Sequence, residues 1–235
     1  MSDSQYTAYN LFSMTPEFWA LDAEDKAVLT RDFLEEMQKV SEQTYFYQVY
    51  PSRSEYDIMV WHNIKTDDLE AINVYAAKCM LVVNKYRLYF DPNLVLSGIT
   101  KPTVYSKSKR SKQEINAFDE SRKPYFVIYP FSKTPDWYML SREERQEKMN
   151  EHIVLGRSFP EISQLLLYSF GIQDQEFVVA YEMDNLSMFS DLVQQLRATK
   201  ARIFTLLDTP IVTCFNRSKE ELFQLLVSTH SLQNV

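Results

Sequence analysis

Tyr129, Lys133 and His152 are the residues of this chain whose types and spacing could do chemistry. The segment Tyr129-Pro130-Phe131-Ser132-Lys133 closes an apolar run, and strand alternation puts Tyr125, Val127, Tyr129, Phe131 and Lys133 on one face. The Tyr-x-x-x-Lys spacing is that of short-chain dehydrogenases. Those enzymes also need a glycine-rich dinucleotide turn, and the three glycines here, Gly98, Gly156 and Gly171, are too dispersed to form one. A strand tyrosine followed by a solvated lysine is the plainer reading of the same residues.

His152, one of three histidines, follows Lys133 by nineteen residues and shares a helical stripe with Met149, Leu155 and Gly156. An inward imidazole is either a core histidine satisfied by a carbonyl or a metal ligand. No second His or Cys stands at ligand spacing, which disfavours zinc, whereas haem iron needs one protein ligand on its proximal side. Cys79 and Cys214 form no CxxC and are most simply buried thiols.

The elements that must position these residues follow from hydrophobic period. In the first half, 6–12 reads as a strand, Asp22 caps a helix with Leu29, Phe33, Met37 and Val40 on one face, and 44–50 and 56–61 form a hairpin around Pro51. A helix starting at Asp68-Leu69 and carrying Ile72, Ala76, Cys79 and Val83 then leads to a strand over 87–96. The second half repeats the order: strand 125–132, helix 142–155, hairpin 164–170 and 176–182, helix 186–197, strand 209–215. Glu55-Tyr56-Asp57-Ile58 parallels Glu176-Phe177-Val178-Val179 across the two halves. The expected fold is α+β: two ferredoxin-like βαββαβ halves, 1–97 and 124–235, forming a dimeric α+β barrel and joined by a polar connection over 98–123 rich in Lys and Arg. Ser141 with Glu144 and Ser218 with Glu221 make capping boxes, and Gly156 is expected to close the His152 helix in the left-handed conformation.

Composition removes several classes. The 235 residues suffice for a sizeable core, and 25 Lys and Arg against 32 Asp and Glu give a net charge of −7, with no general attraction to nucleic acid or anionic lipid. The first residues show no basic segment leading into an apolar run, and no stretch reaches membrane-span length, so the expected location is cytoplasmic.

Residues 125–215 resemble the C-terminal half of the chlorite dismutase and coproheme decarboxylase family. The resemblance rests on Tyr129-Pro130-Phe131-Ser132-Lys133, Trp137-Tyr138-Met139-Leu140, Glu143-Glu144-Arg145, Glu151-His152, Gly156-Arg157-Ser158, Ser169-Phe170-Gly171, Glu176-Phe177 and Leu192-Val193 leading to Leu196-Arg197. The first half is similar mainly through Asp57-Ile58-Met59-Val60-Trp61.

The resemblance implies a homo-oligomer, commonly a homopentamer, that binds a porphyrin. It implies His152 as proximal iron ligand, Tyr129 as the radical-forming residue, Lys133 as propionate ligand or proton donor, and Phe131 and Trp137 as porphyrin contacts. Gln164 falls where chlorite dismutases hold an oxyanion with arginine, Ala201 where they place a carboxylate behind the proximal histidine, and Arg197 where decarboxylases bind a propionate. These positions point to hydrogen-peroxide-dependent decarboxylation of iron coproporphyrin III to haem b. The alternatives are a haem carrier, a chlorite dismutase-like peroxidase, or a non-haem relative in which His152 is a core residue. Phe131 stands where the family has methionine, Ile115 and Asn116 where a second propionate-binding arginine is expected, and Arg202 where some members have serine.

Overall fold

The computed structural model describes residues 4–66, 70–102 and 113–228. The chain runs through strand β1 (Gln5–Met14), helices α1 (Pro16–Ala20) and α2 (Ala23–Gln38), strands β2 (Gln43–Gln48) and β3 (Ile58–Lys65), helix α3 (Ala71–Tyr86) and strand β4 (Phe90–Ile99). After these come β5 (Tyr125–Lys133), α4 (Pro135–Met139), α5 (Arg142–Arg157), β6 (Ser163–Tyr168), β7 (Phe177–Met183) and α6 (Leu186–Leu196). A 3-10 turn (Lys200–Phe204), β8 (Thr205–Leu207), β9 (Val212–Arg217) and α7 (Lys219–Val227) complete the described chain. No described helix is long and apolar enough to cross a membrane.

The fold is α+β and ferredoxin-like, and the chain divides into two compact units, Met1–Ile99 with Thr213–Val235, and Thr100–Val212. The closing strand and helix, placed by their sequence position in the second half, therefore pack with the first unit. There β9 pairs with β2 from Phe46↔Arg217 to Gln48↔Phe215, and Leu222 and Leu226 of α7 enter the core beside α2.

In the first unit the antiparallel order is β4-β1-β3-β2-β9. Alternation turns Ala8, Phe12 and Met14 of β1 toward the helices, where they meet Phe33, Leu34 and Met37 of α2. Phe33 is fully buried, stacked on Phe90 at 3.9 Å and edge-on to Phe12 at 5.5 Å. Burying such a ring contributes about 2–3 kcal/mol. Asp22 caps α2 by accepting from Asp25 N at 2.8 Å.

The second unit has the order β6-β7-β5-β8. Its register aligns Val127, Tyr181 and Gln164, then Tyr129, Val179 and Leu166, then Phe131, Phe177 and Tyr168. Both expected capping boxes form, at Ser141/Glu144 on α5 and Ser218/Glu221 on α7.

Several expectations change in the structure. Gly156 is helical; the one positive-φ glycine among the described residues is Gly171, and α5 continues to Arg157. Its last carbonyls are met by the N–H groups that follow, Ser158 N donating to Leu155 O at 3.1 Å and Phe159 N to Gly156 O at 3.2 Å, and Gln113 Nε2 adds donations to the carbonyls of Gly156, Phe159 and Ile162. The polar connection is correspondingly ordered at both borders, since β4 runs to Ile99 and Glu114 forms a β-bridge with Gln164. The expected helix start at Asp68-Leu69, and Lys107, Lys109, Arg110 and Lys112, lie outside the described residues.

Two short helices were not expected. Each opens on Thr-Pro, Thr15-Pro16 and Thr134-Pro135, with Pro at the first helical turn where its missing N–H costs nothing. They also reset the internal repeat. Asp57 Oδ2 accepts from Met14 N at 2.7 Å, and Glu176 Oε2 accepts from Lys133 N at 2.7 Å, so Glu176 corresponds to Asp57 and not to Glu55.

Candidate active site

Strand β5 ends where the reactive side chains are needed. Its pairing with β7 holds Tyr129 opposite Val179 and Phe131 opposite Phe177, and β8 pairs with Ser132 and Lys133. The strand end is tied down from two directions: Glu176 accepts both the Lys133 backbone N–H and, at 2.5 Å, the Tyr138 hydroxyl. Thr134 N donates to Phe204 O at 2.9 Å, which fixes α4 against the 3-10 turn. Trp137, buried on α4, then packs on Phe204 at 5.5 Å.

Lys133 Nζ lies 4.8 Å from the Trp137 ring centroid and 5.9 Å from that of Phe131, with Thr205 Oγ1 at 3.5 Å. Burial pushes its pKa down to about 8; the positive charge of Arg202 adds to that and Glu176 opposes it. Phe131 is itself locked, stacked on Phe177 at 4.7 Å and 12°.

Tyr129 and Tyr181 lie on adjacent strands with ring centroids 6.1 Å apart. Burial holds Tyr129 well above the usual phenol range; contact with Tyr181 raises it further, Arg197 draws it down and Asp208 raises it. Arg197, at the C-terminal end of α6, pairs with Asp208 at 2.5 Å, and Arg202 reaches the same carboxylate oxygen at 3.4 Å.

His152 stands eleven residues after the N-cap of α5, as Phe33 does on α2. The pairs Met14 and Lys133, Asp57 and Glu176, and Phe33 and His152 are each 119 residues apart, so His152 takes the place of a core phenylalanine. The two helices differ in burial to match. Helix α2 buries Lys26, Thr30, Phe33, Leu34 and Met37, whereas α5 buries none of its residues fully. Helix α5 meets the second unit's core only through partly buried groups such as Leu155.

Burial lowers the His152 pKa to about 4, with Lys133 adding to the shift, so the imidazole is neutral at neutral pH. Among the described residues it makes no hydrogen bond and has no carboxylate beside it. Ala201 is buried in the 3-10 turn. No group of three or more His, Cys, Asp or Glu able to hold a metal occurs among the described residues. A lone neutral imidazole fits iron that arrives with its other ligands already supplied by a porphyrin.

The structure thus brings Tyr129, Lys133, Phe131, Trp137 and Arg197 into one neighbourhood, with His152 electrostatically linked to Lys133. Gln164 shares the sheet face through its register with Tyr181, but its side chain is exposed. Tyr181, Glu176, Arg202 and Asp208 join the cluster only in three dimensions. Strand alternation on β7 was the signal available for Tyr181; Asp208 had none, because its contacts come from the pairing of β8 with β5.

A family model for chlorite dismutase matches residues 23–217. A coproheme decarboxylase from Mycolicibacterium smegmatis is 28% identical over 228 residues, covering 96% of this chain and 95% of that one. The chlorite dismutase of Ideonella dechloratans is 23% identical over 207 residues, covering 81% of this chain and 68% of that one. Among solved structures, the chlorite dismutase of Candidatus Nitrospira defluvii in complex with imidazole matches with a TM-score of 0.80 at 19% identity, covering 97% of this chain and 96% of that one. That likeness is one of fold. The family match spans every residue of the cluster from Tyr129 to Asp208, and on it this chain belongs to the chlorite dismutase family.

Proposed function

We propose that the protein is a coproheme decarboxylase, converting iron coproporphyrin III to haem b with hydrogen peroxide as oxidant. The observation that carries this reading is the meeting of Tyr129 and Lys133 with two arginines, beside a neutral, unbonded His152 close enough to feel the Lys133 charge. The similarity to the Mycolicibacterium smegmatis coproheme decarboxylase supports it. Gln164 on the same face supplies no cation for an oxyanion, which weighs against chlorite as substrate.

When bound, the porphyrin iron would supply the redox centre at which peroxide is consumed. His152 would hold that iron through its neutral imidazole, and Phe131 and Trp137 would contact the macrocycle. Tyr129, whose buried phenol resists ionisation, would lose a hydrogen atom rather than a proton, and its radical would take hydrogen from a propionate. Lys133, at least partly protonated at neutral pH, would pair with the carboxylate or deliver a proton. Each turnover would release one carbon dioxide, leave a vinyl group and reduce one hydrogen peroxide to two waters. Arg197 would anchor a peripheral carboxylate. The same reading carries a homopentameric assembly and a cytoplasmic setting.

The test is titration of the iron coproporphyrin complex with peroxide, followed by mass spectrometry. Two stepwise losses, each of carbon dioxide plus two hydrogens, are expected from the wild type. Tyr129→Phe should bind porphyrin and convert none, and conversion at the wild-type rate by that variant would sink the radical role. His152→Ala should abolish the Soret shift on binding.

A further inference from the structure

We infer that Asp208 is a built-in carboxylate that occupies the arginine pair a substrate carboxylate would use, and so sets how strongly the site holds a polycarboxylate porphyrin. The inference rests on the porphyrin reading above and names a specificity-determining residue within it.

Three observations carry it. First, Arg197 and Arg202 both direct Nη1 at the same oxygen, Asp208 Oδ2, at 2.5 and 3.4 Å. Each guanidinium spends one nitrogen on this contact, and neither makes another ion pair among the described residues. The remaining N–H groups form the edge that a bidentate carboxylate takes. Second, the three side chains are 38%, 32% and 19% exposed, so the arginines remain reachable while their partner is the most enclosed. Third, the triad adjoins the reacting groups: Tyr129 feels Arg197 and Asp208, and Lys133 feels Arg202. Pairing of β8 with Ser132 and Lys133 puts Asp208, the residue after β8, at that end of the sheet.

Two guanidiniums sharing one oxygen repel each other unless an anion sits between them. Asp208 supplies that anion when no porphyrin is bound and leaves a net single positive charge. An arriving propionate must share or displace it. Removing the Asp208 charge while keeping its shape should leave two cations unneutralised and strengthen the hold on any carboxylate delivered there, with a steeper dependence on salt.

The experiment titrates zinc coproporphyrin III, which has four carboxylates and does not react with peroxide as the iron form does, into wild type, Asp208→Asn and Asp208→Glu at low and high salt. Zinc protoporphyrin IX, with two carboxylates, is the comparison. Asp208→Asn should tighten coproporphyrin binding by about fivefold at low salt, the scale of one partly exposed ion pair. The gain should shrink at high salt and be smaller for protoporphyrin, and Asp208→Glu should bind as wild type does. Unchanged or weaker binding by Asp208→Asn, with a circular dichroism spectrum like that of the wild type, would overturn the inference. If Asp208→Asn does not fold, Arg197→Gln decides: it should weaken binding and flatten the salt dependence, and no effect would overturn the inference. Conversion of the iron form without tightening by Asp208→Asn sinks this inference alone, tightening without conversion sinks the decarboxylase reading alone, and no porphyrin binding by wild type sinks both.

Discussion

Tyr129 and Tyr181 stack at 6.1 Å and 26°, one on β5 and the other on β7, each burying its phenol against the other. A buried hydroxyl gains from a polar neighbour, and across this strand pair each phenol is the other's neighbour. Tyr181→Phe should therefore destabilise the protein by about 1 kcal/mol in urea unfolding. In a double-mutant cycle with Tyr129→Phe, the second loss should be smaller than the first; strict additivity would show that the phenols are not coupled.

The correspondence of His152 with Phe33 separates function from stability. Phe33→Ala removes a ring stacked at 3.9 Å in a filled core and should cost about 3–5 kcal/mol. His152→Phe restores an apolar residue beneath a helix with no fully buried side chain, so thermal stability without porphyrin should hold or rise while the Soret shift disappears. A loss as large as that of Phe33→Ala would mark His152 as a core residue.

Acid stability should depend on His62. It is fully buried on β3, its Nδ1 within 3.0 Å of Ser41 Oγ and 3.2 Å of Thr44 Oγ1, and burial lowers its pKa to about 3. The unfolded chain binds its proton at about pH 6.5, the folded chain only near pH 3. The contribution is thus present above pH 6.5 and is lost as pH falls toward 3. His62→Leu should flatten the decline of unfolding free energy across that window, and an unaltered slope would exclude His62 as its source.

Glu182 should act with the opposite sign. Its carboxylate and Arg122, 3.5 Å apart, are both nearly inaccessible, and burial raises the Glu182 pKa to about 7 against the pull of Arg122 and Lys123. The folded protein therefore holds a proton that the unfolded chain releases near pH 4.5. Stability from this group is complete below 4.5 and lost as pH rises through 7. Between pH 5 and 8 Glu182→Gln should show a smaller drop in urea midpoint than wild type.

Local signals made much of the fold legible. Asp22, Ser141 and Ser218 mark helix starts because an N-cap needs only its own first turn, and strand alternation assigns faces because its period is two. Thr-Pro before α1 and α4 is an equally local signal, but hydrophobic period alone passes over both short helices. Gly156 misled because a glycine can end a helix without having to; the last carbonyls are met by the N–H groups of Ser158 and Phe159, and Gln113, 43 residues upstream, adds one more donor.

By itself the sequence determined the order of elements, the shared face of Tyr129, Phe131 and Lys133, and the inward stripe of His152, all consequences of backbone geometry within one element. Only the tertiary structure decided that α5 buries none of its residues fully, that Tyr181 partners Tyr129, and that Arg197 and Arg202 already hold Asp208. These depend on which strand lies beside which. Pairing of β5 with β7 and β8 brings together residues up to 75 positions apart, and no local periodicity encodes that choice.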